Sequence, residues 1–204
     1  MNQPNNQLDV KHAEFLFGAP DLRAIRKHSG LEVAIIGRSN VGKSTFINRL
    51  CKRKIARVSG RPGSTTELNF YHVDGALSGD PFDVTLVDMP GFGFARLSKE
   101  ERENISRLAV TYLRERQQLR AVILLNDCRR KPEADEVAIQ QLCIDEGVHC
   151  IIVATKLDTE KRSQHERLLK ELARGYNLER GDILATGDGV SPADIWQRIL
   201  SLVE

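Results

Sequence analysis

The octet of residues 37–44, GRSNVGKS, constrains the possible folds of this chain more than any other stretch. It matches the pattern G-x-x-x-x-G-K-[ST]; apolar, β-branched residues 31–36 precede it, and residues 43–51 follow with apolar side chains at helical spacing. A strand, a glycine-containing loop and a helix N-terminus in succession surround an anion with backbone N–H groups, so the octet predicts a nucleoside triphosphate site. The predicted phosphate-binding residues are Gly37, Arg38, Ser39, Asn40, Val41, Gly42, Lys43 and Ser44.

Strand-like and helix-like segments alternate along the rest of the chain. The candidate strands are residues 31–36, 67–73, 83–88, 119–126, 148–154 and 182–185. The candidate helices are residues 43–51, 98–116, 132–146, 160–174 and 191–203. This alternation predicts an α/β fold with a mostly parallel six-stranded sheet and helices on both faces. The short connection between 67–73 and 83–88 suits a hairpin, so one strand is expected to be antiparallel.

Length and composition restrict the class of protein. With 204 residues, 41% of them hydrophobic, a single domain over residues 12–204 is expected after a disordered polar tail at residues 1–11. No run of about 18 apolar residues occurs, which predicts no membrane span. The four cysteines lack C-x-x-C spacing and the N-terminus lacks a secretion signal, so a reduced, cytoplasmic protein is expected.

An acidic residue follows the apolar run 84–87 downstream of the octet. Asp88 begins an Asp-x-x-Gly sequence, which alone is a common turn. At the end of a buried strand beside a phosphate loop, however, it is placed to provide a contact to Mg²⁺, the ion that Ser44 is also expected to ligate. Lys43 is expected to reach the β- and γ-phosphates, and the Gly91 N–H to sense the γ-phosphate. The predicted nucleotide-binding residues here are Asp88, Met89, Pro90 and Gly91.

A second motif, Thr155-Lys156-Leu157-Asp158, follows the candidate strand 148–154 and bears on the base. The Asp158 carboxylate can accept two hydrogen bonds from guanine, at N1–H and the N2 amine. Adenine offers no donor at those positions, which would leave the carboxylate unpaired at a cost of roughly 1–3 kcal/mol. The aliphatic stem of Lys156 can cover the base plane. A solvated turn is the alternative; with the other motifs in order, the sequence predicts a guanine site.

Between the octet and Asp88 lies a segment with two threonines, Thr65 and Thr66, either of which could complete the Mg²⁺ shell when a γ-phosphate is bound. An ordinary turn is the alternative. The predicted nucleotide-contacting residues of this first switch are Gly63, Ser64, Thr65, Thr66 and Glu67.

Together the motifs resemble those of the EngB (YihA-type) GTPases, which are P-loop GTPases with a Ras-like fold. The resemblance rests on residues 19–23 (APDLR), 30–34 (GLEVA), 37–40 (GRSN), 62–65 (PGST) and 88–95 (DMPGFGFA). It implies a bacterial GTP-binding protein of large ribosomal subunit assembly that is needed for normal cell division and septation. It favours Thr65 as the Mg²⁺ threonine. It also implies guanine O6 contacts from backbone N–H groups at Leu184, Ala185 and Thr186, where the family usually has a Ser-Ser pair.

Hydrolysis of GTP is expected to be slow. Ras-type proteins orient the attacking water with a glutamine directly after Asp-x-x-Gly, whereas this chain has Phe92, which cannot hydrogen-bond water. A cation or a partner would then complete the site. Asn40 is a candidate K⁺ ligand, with a loop-stabilising role as the alternative. The predicted catalytic residues are Lys43, Thr65 and Asn40, and the predicted Mg²⁺ ligands are Ser44, Thr65 and Asp88.

A basic cluster follows the octet, formed by Arg49, Lys52, Arg53, Lys54, Arg57 and Arg61. A solvated surface is the alternative to a binding site here. With the family resemblance, contact of a monomer with a precursor of the large ribosomal subunit, through RNA or protein, is expected. Two other functions stay open at this point: a P-loop kinase or ATPase acting on a small substrate, and a nucleotide-controlled scaffold with negligible hydrolysis.

Overall fold

Strands and helices alternate in the computed structural model, which describes residues 7–28, 30–57, 67–93, 98–187 and 191–203. The strands within these residues are β1 (Leu8–Ala19), β2 (Leu31–Gly37), β3 (Leu68–Leu77), β4 (Asp80–Asp88), β5 (Leu119–Asp127), β6 (His149–Thr155) and β7 (Ile183–Ala185). The α-helices are α1 (Lys43–Leu50), α2 (Lys99–Glu115), α3 (Ala134–Asp145), α4 (Arg162–Gly175) and α5 (Pro192–Val203). The predicted α/β fold is confirmed.

All strands in the described part of the chain belong to one sheet with the order β1-β3-β4-β2-β5-β6-β7. Strand β3 pairs antiparallel with both β1 and β4, while the β4-β2, β2-β5, β5-β6 and β6-β7 pairs are parallel. One strand therefore runs against the others, as predicted. The sheet has seven strands rather than the predicted six because β1 adds to the edge beside β3.

The extra strand corrects the predicted disordered tail. β1 begins at Leu8, so residues 8–11 pair with β3, and the tail prediction for residues 1–6 lies outside the described residues. Register shifts fall between Val10 and His12 and between Phe15 and Phe17. These irregularities break the alternation of inward and outward side chains, which is the pattern by which a strand is recognised in a sequence.

The hairpin between β3 and β4 is tighter than predicted. Residues 74–81 were expected to form the connection, but the strands continue through most of them and Ser78 and Gly79 alone make the turn. Both turn residues have positive φ, 55° and 98°, which suits a two-residue hairpin with the twist of the flanking strands. The sequence misled because Asp, Gly and Pro, which are common in turns, here lie within the strands.

Two apolar layers cover the sheet. Helices α1 and α5 pack on one face, where Phe46, Ile47 and Trp196 join inward residues of β2 and β4. Helices α2, α3 and α4 pack on the other face, where Tyr112 and Leu172 join residues such as Ile36. β2 is a run of buried residues on both sides, as expected for a central parallel strand. Among the described residues, no helix is long and apolar enough to cross a membrane.

Candidate functional site

The phosphate loop lies where β2 ends and α1 begins. Gly37 closes the strand at a point where an added Cβ would lie 2.8 Å from Val41 Cγ1 and 2.9 Å from the Leu125 carbonyl oxygen, so no side chain fits. Gly42 precedes the helix with a φ of 106°, which glycine adopts without strain. The loop thus leads directly into the positive N-terminal end of α1, as an anion site requires.

A half-buried lysine, Lys43, and a buried aspartate, Asp88, lie near each other beside this loop. Burial lowers the pKa of the Lys43 ammonium, which the charge of Asp88 partly offsets. Burial raises the pKa of the Asp88 carboxyl to about 6, against the opposite influence of Lys43. Asp88 ends β4 directly opposite Ile35 of β2, so the parallel pairing of the two strands sets it next to the phosphate loop.

The carboxylate of Asp88 is suited to hold a cation. The residue is 2% exposed, and among the described residues no hydrogen-bond partner reaches its Oδ1 atom. A buried carboxylate oxygen without a partner is costly, and a hard oxygen-seeking cation would satisfy it. Asp88, with the Ser44 hydroxyl at the first turn of α1, fits Mg²⁺ in its donor set. Burial and the unpartnered oxygen carry this inference.

The segment that follows Asp88, at about residues 89–100, is the expected second switch, and its start is joined to the phosphate loop. Ser39 N donates to the Phe92 carbonyl oxygen at 3.0 Å, and Arg38 and Phe92 form an isolated parallel bridge. The Phe92 side chain is half-buried against the apolar layer of α2, α3 and α4. Met89 and Pro90 are buried, so their side chains support the segment from below. Any displacement of the loop at Gly91 is thereby passed to Phe92.

Arg38 extends this junction to a third element. Its Nη1 donates to Glu133 Oε2 at 2.8 Å, just before α3, and lies 3.7 Å from Glu136 Oε2. Its guanidinium also lies so close to Gly93 that a Cβ there would come within 2.9 Å of it. The side chain of this predicted phosphate-binding residue is therefore occupied between the second switch and α3.

Asn40 has a conformational reason for its identity. Its φ is 62°, in the left-handed region that asparagine tolerates better than most residues, and its side chain is exposed. The geometry of the loop thus accounts for an asparagine here without a ligand. Its predicted role toward K⁺ stays a prediction.

The Thr155–Asp158 motif is hydrogen-bonded to the phosphate loop. The Thr155 hydroxyl donates to the Val41 carbonyl oxygen at 2.8 Å, so this threonine supports the loop from within the protein. Leu157 is buried, and Asp158 is exposed with its backbone N and carboxylate facing Gly187. Lys156, between them, has a φ of 60°. The motif therefore presents a lysine stem and a carboxylate side by side.

The predicted fifth segment also lies at this edge. Leu184 and Ala185 end β7, and Thr186 continues the pairing with its N–H donating to Ala154 O at 2.8 Å. Thr186 is buried, and Gly187 beyond it is held by a hydrogen bond from Arg49 to its carbonyl oxygen at 2.8 Å. The structure therefore brings the end of this segment, at Gly187, next to Asp158, while the predicted contacts of residues 184–186 with guanine stay a prediction.

The first switch cannot be placed in the same way. Gly63, Ser64, Thr65 and Thr66 lie outside the described residues, and so do Phe94 and Ala95. Glu67 is described, and its carboxylate lies against Gly18 of β1. The predicted roles of residues 63–66 stay predictions.

Two functional candidates at the end of β5 were missed from the sequence. Asp127 contacts Lys156, and Asn126 accepts a hydrogen bond from the Tyr176 hydroxyl at 3.0 Å. Both residues are buried. The signal that could have found them is their position, because two polar residues end an apolar strand that lies between β2 and β6 in the sheet.

Two cavities flank the phosphate loop. One, of about 410 Å³, is polar and lies between the loop, the end of β5 and Lys156. The other, of about 620 Å³, is mainly apolar and runs between α2 and α3, with Pro90 and Phe92 at one end. Among the described residues, no group of three or more His, Cys, Asp or Glu is arranged to hold a metal ion on its own. A cation at Asp88 would therefore need further oxygen ligands, which phosphates supply.

The sequence pattern of the family described as "50S ribosome-binding GTPase" matches residues 32–156. A "Probable GTP-binding protein EngB" of Clostridium kluyveri is 38% identical over 180 residues, 88% of each chain. The chain belongs to the EngB family of GTP-binding proteins. An EngB of Streptococcus sanguinis is 38% identical over 203 residues, covering 97% of this chain and 100% of its own. Family membership thus confirms the resemblance that the motifs predicted.

Solved structures agree with the EngB fold. The crystal structure of a probable GTP-binding protein EngB superposes with a TM-score of 0.63 at 25% identity, covering 84% of this chain and 98% of the other. The GTPase Era of Aquifex aeolicus superposes with a TM-score of 0.66 at 20% identity, over 85% and 56%, which shows the shared fold alone. GTP binding follows from EngB membership, and the kinase or ATPase alternative has no support among these relatives.

Proposed function

We propose that this EngB protein is a GTP-controlled switch that binds a precursor of the large ribosomal subunit. The observation that carries the proposal is the junction between the phosphate loop and the start of the second switch, where Ser39 and Arg38 contact Phe92. Through this junction, a change of contacts at the γ-phosphate would be passed to the segment leading into α2. The family description, which names a 50S ribosome-binding GTPase, supports the choice of partner.

The proposed roles at the phosphates rest on the positions of Lys43 and Asp88. Lys43 would contact the β- and γ-phosphates, while Ser44, Asp88 and Thr65 would hold Mg²⁺. The ion would neutralise phosphate charge and orient the γ-phosphate. The Lys43 ammonium is held at the Gly37 carbonyl oxygen and Asp88 is fixed at the end of β4, so both charges would be positioned for the phosphates with little reorganisation. The Gly91 N–H would report the γ-phosphate.

The base would be guanine. Asp158 would accept hydrogen bonds from N1–H and the N2 amine, the stem of Lys156 would cover the ring, and backbone N–H groups near Thr186 would face O6. The proximity of Gly187 to Asp158 supports this arrangement.

Hydrolysis would be slow and would depend on K⁺ or a partner. Phe92 packs into the apolar layer and offers no hydrogen bond to water. Asn40 is the candidate K⁺ ligand. In a test of this, turnover of GTP is measured in KCl and in NaCl for the natural protein and for Asn40→Gly, because glycine accepts the positive φ but lacks the side chain. Faster turnover in KCl that disappears in the variant is expected; equal rates in both salts would remove the K⁺ proposal.

The ribosomal contact would use basic residues near the end of α1. Two of them also have a structural role, because Lys52 Nζ donates to the Leu8 carbonyl oxygen at 2.6 Å and Arg53 donates to that of Lys11. Replacing them would therefore loosen β1. Lys54 and Arg57 are exposed and are the better residues to change.

The experiment is cosedimentation with large ribosomal particles in a non-hydrolysable GTP analogue and in GDP. We expect attachment in the analogue alone, weakened about tenfold by Lys54→Ala/Arg57→Ala and by a rise in salt from about 50 to about 200 mM. The matched control is Lys161→Ala/Arg162→Ala at α4, which removes equal charge from the other face of the sheet. Equal sedimentation of both double variants would contradict a contact at the end of α1.

A broader role follows from the same proposal. The protein would act in the cytoplasm as a monomer, and its loss would disturb ribosome assembly and, with it, cell division and septation. A nucleotide-controlled scaffold with negligible hydrolysis is the second candidate, and Phe92 is the observation that favours it. Single-turnover measurement on particles separates the two, because a scaffold would release its particle by nucleotide exchange without cleavage of GTP.

A further inference from the structure

The carboxylate of Asp127 joins the end of β5 to the lysine of the second motif. Lys156 Nζ lies 3.0 Å from Asp127 Oδ2. Arg129 binds the same carboxylate with two hydrogen bonds, from Nε to Oδ1 at 2.8 Å and from Nη2 to Oδ2 at 2.6 Å. The nearly buried carboxylate of Asp127 thus binds two cationic side chains, Arg129 and Lys156, which belong to different loops.

The charge on Asp127 is firmly maintained. Burial alone would raise the pKa of its carboxyl, but hydrogen bonds from Arg129 and Lys156 outweigh burial and hold that pKa well below its usual range. The backbone N–H of Arg129 also donates to Oδ1 at 3.1 Å. Asp127 is therefore an anion at any pH at which the protein functions, and Lys156 always faces a full negative charge.

Lys156 is constrained from both ends. Its backbone is in the left-handed region with a φ of 60°, a conformation that is unfavourable for a non-glycine residue and persists only where the surroundings impose it. Thr155 before it is bound to the phosphate loop, and Thr159 after it donates to the Lys156 carbonyl oxygen from both N, at 3.0 Å, and Oγ1, at 2.7 Å. With the ammonium held by Asp127, the stem between the two anchors has little freedom.

We propose that Asp127 is a positioning residue for the nucleotide base, acting through Lys156. By holding the ammonium, it would stretch the aliphatic stem across the place where the base plane stacks. The inference rests on the proposed guanine site, and it adds a residue that is not part of the phosphate loop, the second switch or the Thr155–Asp158 motif.

The polar cavity beside this pair explains why an anchor matters. Ser39, Asn40, Arg129 and Glu136 line the space next to Lys156. Without Asp127, the side chain could turn into this space, away from the base, and Arg129 would repel its charge. A lysine side chain has many rotamers, and restricting them before the ligand binds improves affinity.

The test is a double-mutant cycle on the affinity for fluorescent GDP. Asp127→Asn keeps the shape and removes the charge, and Lys156→Met keeps the stem and removes the ammonium. Each is expected to weaken GDP binding about tenfold, mainly through faster dissociation, and the double variant should be no weaker than either alone. Arg129→Ala, which leaves the Asp127–Lys156 pair intact, should stay within about twofold of the natural protein.

A role of Asp127 in folding alone would give a different pattern. If Asp127 only stabilised the loop, the affinity losses of Asp127→Asn and Lys156→Met would add in the double variant. Asp127→Asn would also disturb Asp158, and the preference for GDP over IDP would fall. We expect that preference to stay within about twofold in Asp127→Asn. Additive losses, a collapsed preference, or unchanged GDP affinity in Asp127→Asn would each overturn the proposal.

Two further measurements distinguish a failure of the Asp127 proposal from an unfolded variant and from a failure of the guanine site. If Asp127→Asn does not fold, Lys156→Met alone tests the anchor, and unchanged GDP affinity in that variant would overturn it. If the natural protein bound ADP as tightly as GDP, the guanine site itself would be wrong, and the proposal for Asp127 would fall with it. Competition of ADP against fluorescent GDP is therefore measured first.

Discussion

At the scale of single residues, Asp88 shows a conflict between stability and ligand binding. Its carboxylate is 2% exposed and has an unpartnered oxygen among the described residues, and burial raises its pKa to about 6. In solution near neutral pH the folded protein must still carry this charge, which costs free energy of folding. Such a cost is expected of a group whose purpose is to meet a cation.

Asp88→Asn should therefore raise the free energy of unfolding of the protein in chelator without nucleotide, by about 1–3 kcal/mol, because a neutral isostere avoids the buried charge. The same variant should lose Mg²⁺-dependent nucleotide binding. Ser44→Ala is the matched control, since it removes a predicted Mg²⁺ ligand but no buried charge. Urea unfolding measures the effect; a loss of stability in Asp88→Asn would show that pairing with Lys43 outweighs burial.

Asp127 has the opposite pH behaviour. Its pKa is lowered from 3.8, so the ionised form is favoured by folding. The stability that it contributes is fully present above that pH and is lost as pH falls further toward the pKa of the folded state. The difference in unfolding free energy between the natural protein and Asp127→Asn should be constant from about pH 8 to about pH 5 and should narrow below about pH 4. A difference that grew on acidification would contradict the assigned ion pairs.

At the scale of elements, α2 has a firmly held C-terminal end. Glu32 of β2 is fully buried, and it accepts hydrogen bonds from the Tyr112 hydroxyl and from Arg116 at the end of α2. His28 Nε2 also lies 2.8 Å from Glu32 Oε1. The N-terminal end of α2 instead follows the second switch and is capped locally by Ser98 and Glu101. A nucleotide-dependent movement of α2 would therefore pivot about the end held by Glu32.

Arg116→Met should lower the free energy of unfolding by about 3 kcal/mol, because it leaves a buried carboxylate without its cation. The double variant Glu32→Gln/Arg116→Met should lose less unfolding free energy than Arg116→Met, because it also removes the uncompensated charge of Glu32. Urea denaturation of both variants measures this. If the single variant loses under about 1 kcal/mol, the hydrogen bond from the Tyr112 hydroxyl is enough to hold Glu32.

Also at this scale, the sequence predicted the central strands and the helices well but missed the edge strand β1. Strands β2, β5 and β6 are continuous apolar runs, and α2 and α5 begin with side-chain caps, so their bounds lie within one or two residues of prediction. β1 was missed because its two register shifts remove the alternating pattern. Its pairing depends on β3 and on Lys52 and Arg53, which are distant in sequence.

At the scale of the whole molecule, the carboxyl ends of the parallel strands set the site. Four strands that are adjacent or near neighbours in the sheet order supply the site. β2 leads into the phosphate loop, β4 ends at Asp88, β6 leads into the Thr155–Asp158 motif and β7 leads into Thr186. The phosphate loop, Asp88 and the Thr155–Asp158 motif were predicted from residue types and their spacing, whereas Thr186 was assigned only through the resemblance to the EngB family. The contacts between them, such as Thr155 to Val41 and Asp127 to Lys156, could not be predicted, because they depend on which strands are neighbours and on where each strand ends.

At this scale we propose that a guanine nucleotide in this site controls attachment of the protein to the large ribosomal particle. Asp158→Asn tests it directly, because an asparagine amide can donate to the C2 carbonyl of xanthine, where guanine has a donor. Cosedimentation is measured with non-hydrolysable GTP and XTP analogues. The natural protein should attach with the GTP analogue and the variant with the XTP analogue. Attachment of the variant with the GTP analogue as strongly as with the XTP analogue, or attachment that depends on neither analogue, would contradict this control by guanine.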